Sequence, residues 1–144
     1  MTTNPLLRLL VVDDEPEILA EVSGYLRRRG EDVVTGSSYG QAMRVLDDDA
    51  VIDVLISDAR MPDGNGVDLV RSAIQRPNGP RACILITGHL EESDLAADLQ
   101  RAGVKIIFKP FSLAVLYREV RSASEAKGAN GQTLEPAPAV SGDD

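Results

Sequence analysis

Three carboxylates stand where apolar runs give out: Asp13 and Asp14 follow LLRLLVV, and Asp58 follows VLIS. A hydroxyl, Thr87, closes the run ACILIT, and an ammonium, Lys109, follows VKIIF. Hard oxygen donors in small number, with room left for water, suit Mg²⁺ better than a zinc site or a calcium cage. Beside such an ion a carboxylate can also attack phosphorus, because phosphoryl transfer depends mostly on positioning and charge neutralisation. Asp58 could then be metal ligand and phosphoryl acceptor together, whereas a serine would lack the charge for the first role. Without a cation the cluster is costly, since two unit charges ~5 Å apart repel by roughly 3 kcal/mol at an effective dielectric of about 20.

These residues converge only if the runs are parallel strands. The run over 6–12 is short, apolar and bounded by acids, as suits a strand buried on both faces. Pro16 suits a first helical turn, and Ile18, Leu19, Val22 and Leu26 repeat at helical spacing until Gly30. The alternation recurs: a weaker strand over 32–36, a helix over 39–46, a strong strand over 52–57 and a Gly-rich loop. A helix over 67–75 is stopped by RPNGP, and a strand over 82–87 and a helix over 91–102 follow, with Gly103 just past its end. A fifth strand over 104–108 precedes a last helix lined by Leu113, Leu116 and Val120. Five strands alternating with five helices predict an α/β domain, a doubly wound five-stranded parallel sheet covered on both faces. Ligands of such sheets bind beyond the carboxyl ends of the strands, where strand order reverses, and Asp13, Asp14, Glu15, Asp58, Thr87 and Lys109 all fall at strand ends.

The 144 residues suffice for one core, which must be aliphatic because aromatics make up only 3%. A net charge of −8 argues against a nucleic-acid surface, since phosphate neutralisation drives most such binding. The lone Cys83 sits inside an apolar run, as a buried inert thiol in a reducing cytoplasm would. No stretch approaches the ~18 continuous apolar residues of a membrane span. Residues 1–5 are expected to be a flexible start, 6–124 the folded domain, and 125–144 (EAKGANGQTLEPAPAVSGDD) a disordered tail with too little to bury. The acids over 47–49 read as a solvated helix end, and the arginines over 27–29 as complements to a helix C-terminus.

With these residues placed, the chain resembles the receiver domain of bacterial two-component response regulators, of the single-domain, chemotaxis-regulator-like kind. The matching motifs are VVDDEP at 11–16, LISDARMPDGNG at 55–66, ILITG at 84–88 and FKPF at 108–111, in family order over residues 7 to about 123. The resemblance implies a flavodoxin-like sheet of order 2-1-3-4-5. It implies a signalling module, not an enzyme with a separate substrate: Asp58 takes a phosphoryl group from a phosphohistidine of a sensor kinase or phosphotransfer protein in a Mg²⁺-dependent reaction. Asp14 and Asp58 would hold the ion directly with the Arg60 carbonyl, and Asp13 through water. Lys109 would pair with the phosphoryl oxygens, Thr87 would bond to one of them on switching, and the Lys109-Pro110 peptide would be cis. Arg60 and His89 occupy positions that modulate dephosphorylation in the family. The first helix with Pro110 and Phe111 would dock the kinase; the fourth helix, fifth strand and fifth helix would meet a downstream protein or a second copy in a homodimer. One departure is Ile106, where many members carry Tyr or Phe: a β-branched aliphatic has neither the aromatic rotamers nor the polar tip, leaving movement of Thr87 and its loop as the switch.

Two rival classes place an acid at a parallel strand end or use the same fold. A Mg²⁺-dependent phosphohydrolase of the dehalogenase type resembles D-x-D at its nucleophile, whereas Arg60 holds the second position here. A pseudo-receiver acting only as an interaction module would not need the acids and Lys109.

Overall fold

The computed structural model describes residues 6–48, 51–88 and 93–133. Five strands, β1 (Arg8–Val12), β2 (Asp32–Gly36), β3 (Val54–Asp58), β4 (Ala82–Thr87) and β5 (Val104–Phe108), form one parallel sheet of spatial order β2-β1-β3-β4-β5. The helices are α1 (Pro16–Arg28), α2 (Tyr39–Asp47), α3 (Gly66–Gln75), α4 (Ser93–Arg101) and α5 (Leu113–Thr133). Parallel neighbours need crossovers, and each crossover here carries a helix. Alternate residues of each strand feed two cores. Leu10, Val12, Leu55, Cys83 and Leu85 face a cluster with α2 and α3, while Leu9, Val11, Ile56, Ile84 and Ile86 face one with α1 and α5. That double burial explains why β3 and β4 are buried at every position and carry no alternation of apolar and polar residues.

The helices dock through the positions that their spacing marks. Leu26 of α1, Leu69 of α3 and Leu116 of α5 are fully buried, each contributing about 1.5–3 kcal/mol. Val22 is buried too, with Ile18 and Leu19 packed at the margin. The starts of α2 and α3 are capped locally: the Ser38 side chain accepts from Gln41 N, and Asn65 from Asp68 N.

Three features depart from the sequence reading. Arg60–Met61 pairs antiparallel with Gly64–Asn65, a two-residue hairpin where a plain loop was expected. Helix α5 continues to Thr133, past the domain end expected at 124. Val120, Arg121 and Ser124 are the last buried side chains among those described, and the helix-favouring Glu125, Ala126, Lys127 and Ala129 carry the backbone onward. The third is a buried ionic centre at the amino end of the sheet. Glu31, 7% exposed, accepts from Leu7 N at 2.9 Å, Tyr117 Oη at 3.1 Å and Arg121 Nη1 at 2.9 Å, joining β1, the α1–β2 turn and α5. Arg29 lies over the rings of Tyr25 and Tyr117, 4.9 and 5.9 Å from their centroids. The terminal residues 1–5 and 134–144, and His89, lie outside the described residues. Among the described residues no helix is long and apolar enough to cross a membrane.

Candidate functional site

Strand register assembles the site. Val12 pairs with Ser57, so Asp13, one step beyond, meets Asp58 at the end of the neighbouring strand. Asp58 pairs with Ile86, which puts Thr87 one step past it, and Thr87 pairs with Phe108, which puts Lys109 one step further. Lys109 N donates to the Thr87 carbonyl at 2.8 Å, and Asp13 N donates to that of Gly36 at 3.1 Å. The Lys109-Pro110 peptide is cis, as the resemblance implies. The crevice lies where the order reverses between β1 and β3.

One carboxylate oxygen from each of Asp13, Asp14 and Asp58 lies within 4.8 Å of the others. Asp13 and Asp58 are buried and Asp14 is half-buried. Lys109 Nζ stands 2.8 Å from Asp58 Oδ1, and Arg60 N donates to Asp58 Oδ2 at 3.3 Å. A cavity of ≈250 Å³ opens on this group, lined by Asp14, Glu15, Asp58, Arg60, Thr87 and Lys109 among others. Thr87 is 3% exposed, and Ile106 is half-buried against the α2–α3 core, paired with Leu85.

Burial raises the Asp13 pKa; the N–H of Glu15 opposes that, the Asp58 charge adds to it, Lys109 opposes it, and Asp14 adds a little more. For Lys109, burial works downward, but the hydrogen bond and charge of Asp58, with Asp13 and Glu15 behind them, outweigh it and raise the pKa. A carboxylate whose charged form is disfavoured by burial and by like charge is one that a cation relieves. The donor set fits a hard divalent ion: oxygen atoms only, close together, with Asp14 and Asp58 lining the cavity. A larger cavity of ≈570 Å³ at the other end of the sheet is a poorer candidate. The Arg76 and Arg81 groups that line it already face Asp47 and Asp53, at 2.7 and 3.8 Å.

The strand-end reading located Asp13, Asp14, Asp58, Thr87 and Lys109, and the structure brings them together. It did not single out Asp63. That carboxylate accepts from Tyr39 N at 2.9 Å and Gly40 N at 3.0 Å, tying the loop after Asp58 to the start of α2. The only signal in the sequence was an acid in a tight turn, which by itself predicts a turn.

Residues 9–121 match the family described as the response regulator receiver domain. Over 117 residues the chain is 33% identical to the transcriptional regulatory protein GlrR of Escherichia coli K12, covering 81% of this chain and 26% of that protein. Over 121 residues it is 30% identical to the transcriptional regulatory protein PrrA of Mycobacterium tuberculosis, covering 84% and 51%. The chain thus spans between 26% and 51% of the length of these two curated relatives. A crystal structure of a response regulator receiver domain protein from Clostridium thermocellum superposes with a TM-score of 0.76 at 31% identity, covering 86% of this chain and 98% of that one.

Proposed function

The chain belongs to the response regulator receiver domain family, and from that premise we propose that it accepts a phosphoryl group on Asp58 from a phosphohistidine donor and signals through the change that follows. The observation that carries this reading is the Asp58–Lys109 contact of 2.8 Å inside a cluster of three carboxylates. An Asp58 oxygen forms the new O–P bond while the P–N bond of the donor breaks. The electron pair of that bond leaves with the imidazole. Lys109 and the Arg60 N–H hold the carboxylate in place through its two oxygens, so the nucleophile is oriented before the donor arrives. Asp14, Asp58 and the Arg60 carbonyl, with Asp13 through water, would hold a Mg²⁺ ion, which when bound would neutralise charge on the phosphoryl oxygens. Water later attacks phosphorus, releases inorganic phosphate and restores the carboxylate.

The exposed Arg60 at the rim governs how readily that water enters, and His89, two positions beyond Thr87 in the sequence, is assigned the same role. Thr87, paired beside Phe108 at the end of β4, bonds to the phosphoryl group and draws its loop with it. Ile106 has no hydroxyl and no ring, so the loop moves without an aromatic partner at that position. A donor protein docks where Ile18 and Val22 of α1 meet Pro110, Phe111 and Leu113 around an apolar hollow of ≈430 Å³. The face of α4, β5 and α5 is read by a downstream protein or a second copy. The test is mass spectrometry after incubation with a small acyl phosphate and Mg²⁺. The parent gains one phosphoryl group and Asp58→Asn gains none; equal gain in both, or none in the parent, overturns the proposal.

A further inference from the structure

Both walls of the acidic crevice are anchored to one short segment, the junction of β2 and α2. On one side Asp13 N donates to Gly36 O at 3.1 Å, fixing the backbone that carries the first acid. On the other, Asp63 Oδ1 and Oδ2 take the N–H groups of Tyr39 and Gly40 at 2.9 and 3.0 Å, contacts made across 24 and 23 residues of chain. The Asp63 pKa is lowered, first by the Gly40 N–H and then by that of Tyr39. Ser38 Oγ takes the next N–H, from Gln41 at 3.1 Å, so three donors of the first turn of α2 are met, two of them by the loop and one by α2's own cap.

Asp63 sits at the tip of the hairpin in which Arg60 pairs with Asn65 and Met61 with Gly64. Met61, 9% exposed, enters the same core as Ala42 and Leu46 of α2. A Cβ on Gly64 would come within 2.6 Å of the Tyr39 ring, so hairpin and helix start are in close contact. Only Met61 and Pro62 separate Asp63 from Arg60, whose N–H holds Asp58 Oδ2. We infer that Asp63 is a positioning residue: by clamping the hairpin tip onto the amino end of α2, it fixes the backbone at Arg60 relative to Asp13 and so sets the spacing of the cation site. This deepens the function proposed above and rests on that reading for the identity of the ion. Loss of the clamp frees the hairpin tip while leaving every acid of the cluster in the chain.

The test compares Asp63→Ala with Ser38→Ala, which removes a cap from the same helix without touching the loop. Calorimetric titration with Mg²⁺ is expected to give Asp63→Ala a Kd raised about fivefold, a loss typical of an outer-shell partner being somewhat larger, with Asp63→Asn between it and the parent. Ser38→Ala is expected to bind as the parent does. In hydrogen exchange without metal, the Arg60 and Gly66 amides should lose protection in Asp63→Ala and keep it in Ser38→Ala. Equal Mg²⁺ affinity of Asp63→Ala and parent overturns the inference, and so does unchanged exchange at those amides. If the parent itself binds no Mg²⁺, the proposed function fails, and the exchange experiment still decides whether Asp63 holds the loop.

Discussion

Lys109 Nζ and Asp58 Oδ1 are 2.8 Å apart, so ammonium and carboxylate are already paired at the end of β3. The ammonium is only part-buried, and its raised pKa keeps it charged across the physiological range. A fixed donor aimed at a centre of developing negative charge is worth about 10²–10³ in rate. Lys109→Met keeps a comparable side-chain length and removes the charge. It is expected to slow phosphoryl capture from a small acyl phosphate by about 100-fold. Mg²⁺ binding should tighten, because one competing positive charge is gone. Time courses of phosphorylated mass and a Mg²⁺ titration check both arms, and an unchanged capture rate would show that Lys109 is not part of the chemistry.

Asp13 makes a prediction with a pH signature. Its folded-state pKa is raised above the unfolded value, so its contribution to stability is present below the unfolded value of about 3.9 and lost as pH rises through the folded pKa. At neutral pH without divalent ions the charged carboxylate is therefore a liability. Like charges within 4.8 Å repel by about 3 kcal/mol at an effective dielectric of about 20, partly offset by Lys109. Asp13→Asn keeps an oxygen for the Glu15 N–H and should melt several degrees higher than the parent in chelator at pH 7. The gain should shrink toward pH 4 and reverse in saturating Mg²⁺. A gain independent of pH would refute the electrostatic cause.

Strand ends were legible because a parallel sheet turns position along the chain into position in space. Once the runs ending at Val12, Ser57, Ile86 and Phe108 are strands, the next residues, Asp13, Asp58, Thr87 and Lys109, must share one edge. Long-range polar contacts have no such periodic signature. Glu31 follows Gly30 and reads as a solvated turn acid, yet it is buried by partners 86 and 90 residues away, Tyr117 and Arg121. Asp63 reads as turn chemistry for the same reason, since its role depends on where α2 begins. The extra turns of α5 were missed because composition averaged over 125–144 conceals the helix formers at its start.

The Glu31 centre carries its own prediction. Glu31→Ala would take from the buried Arg121 side chain the carboxylate that it contacts at 2.9 Å. Breaking a buried pair from one side costs about 3–5 kcal/mol, roughly 10 °C or more in melting temperature for a domain of this size. The pair between Arg8 and Asp32 offers the contrast, with both side chains more than 40% exposed and 3.5 Å apart. Asp32→Asn should cost about 0–1 kcal/mol. Thermal melts of both variants decide whether the buried centre fastens α5 to β1; similar small losses would show that it does not.

Gly66 opens α3 with no room for a side chain. A Cβ there would lie 2.1 Å from Asp58 O and 3.0 Å from both Asp58 C and Ala59 Cα, all backbone atoms that cannot swing aside. The Gly66 N–H also donates to Ala59 O at 2.8 Å, so the helix start and the segment after Asp58 are held face to face. Gly66→Ala must push these apart, costing about 1–3 kcal/mol as overpacking does and moving the carboxylate away from Lys109. It should lose phosphoryl capture in excess of its loss of stability. Gly24, inside α1, is the opposite case: its added Cβ would meet only the flexible tip of Arg28 at 3.3 Å. Gly24→Ala should stabilise the fold by about 0.5–1 kcal/mol through helix propensity and leave capture unchanged. Melting curves and acyl-phosphate labelling of the two variants separate close packing at the site from the general effect of replacing glycine. Full labelling of a folded Gly66→Ala protein would mean that Asp58 does not depend on this contact.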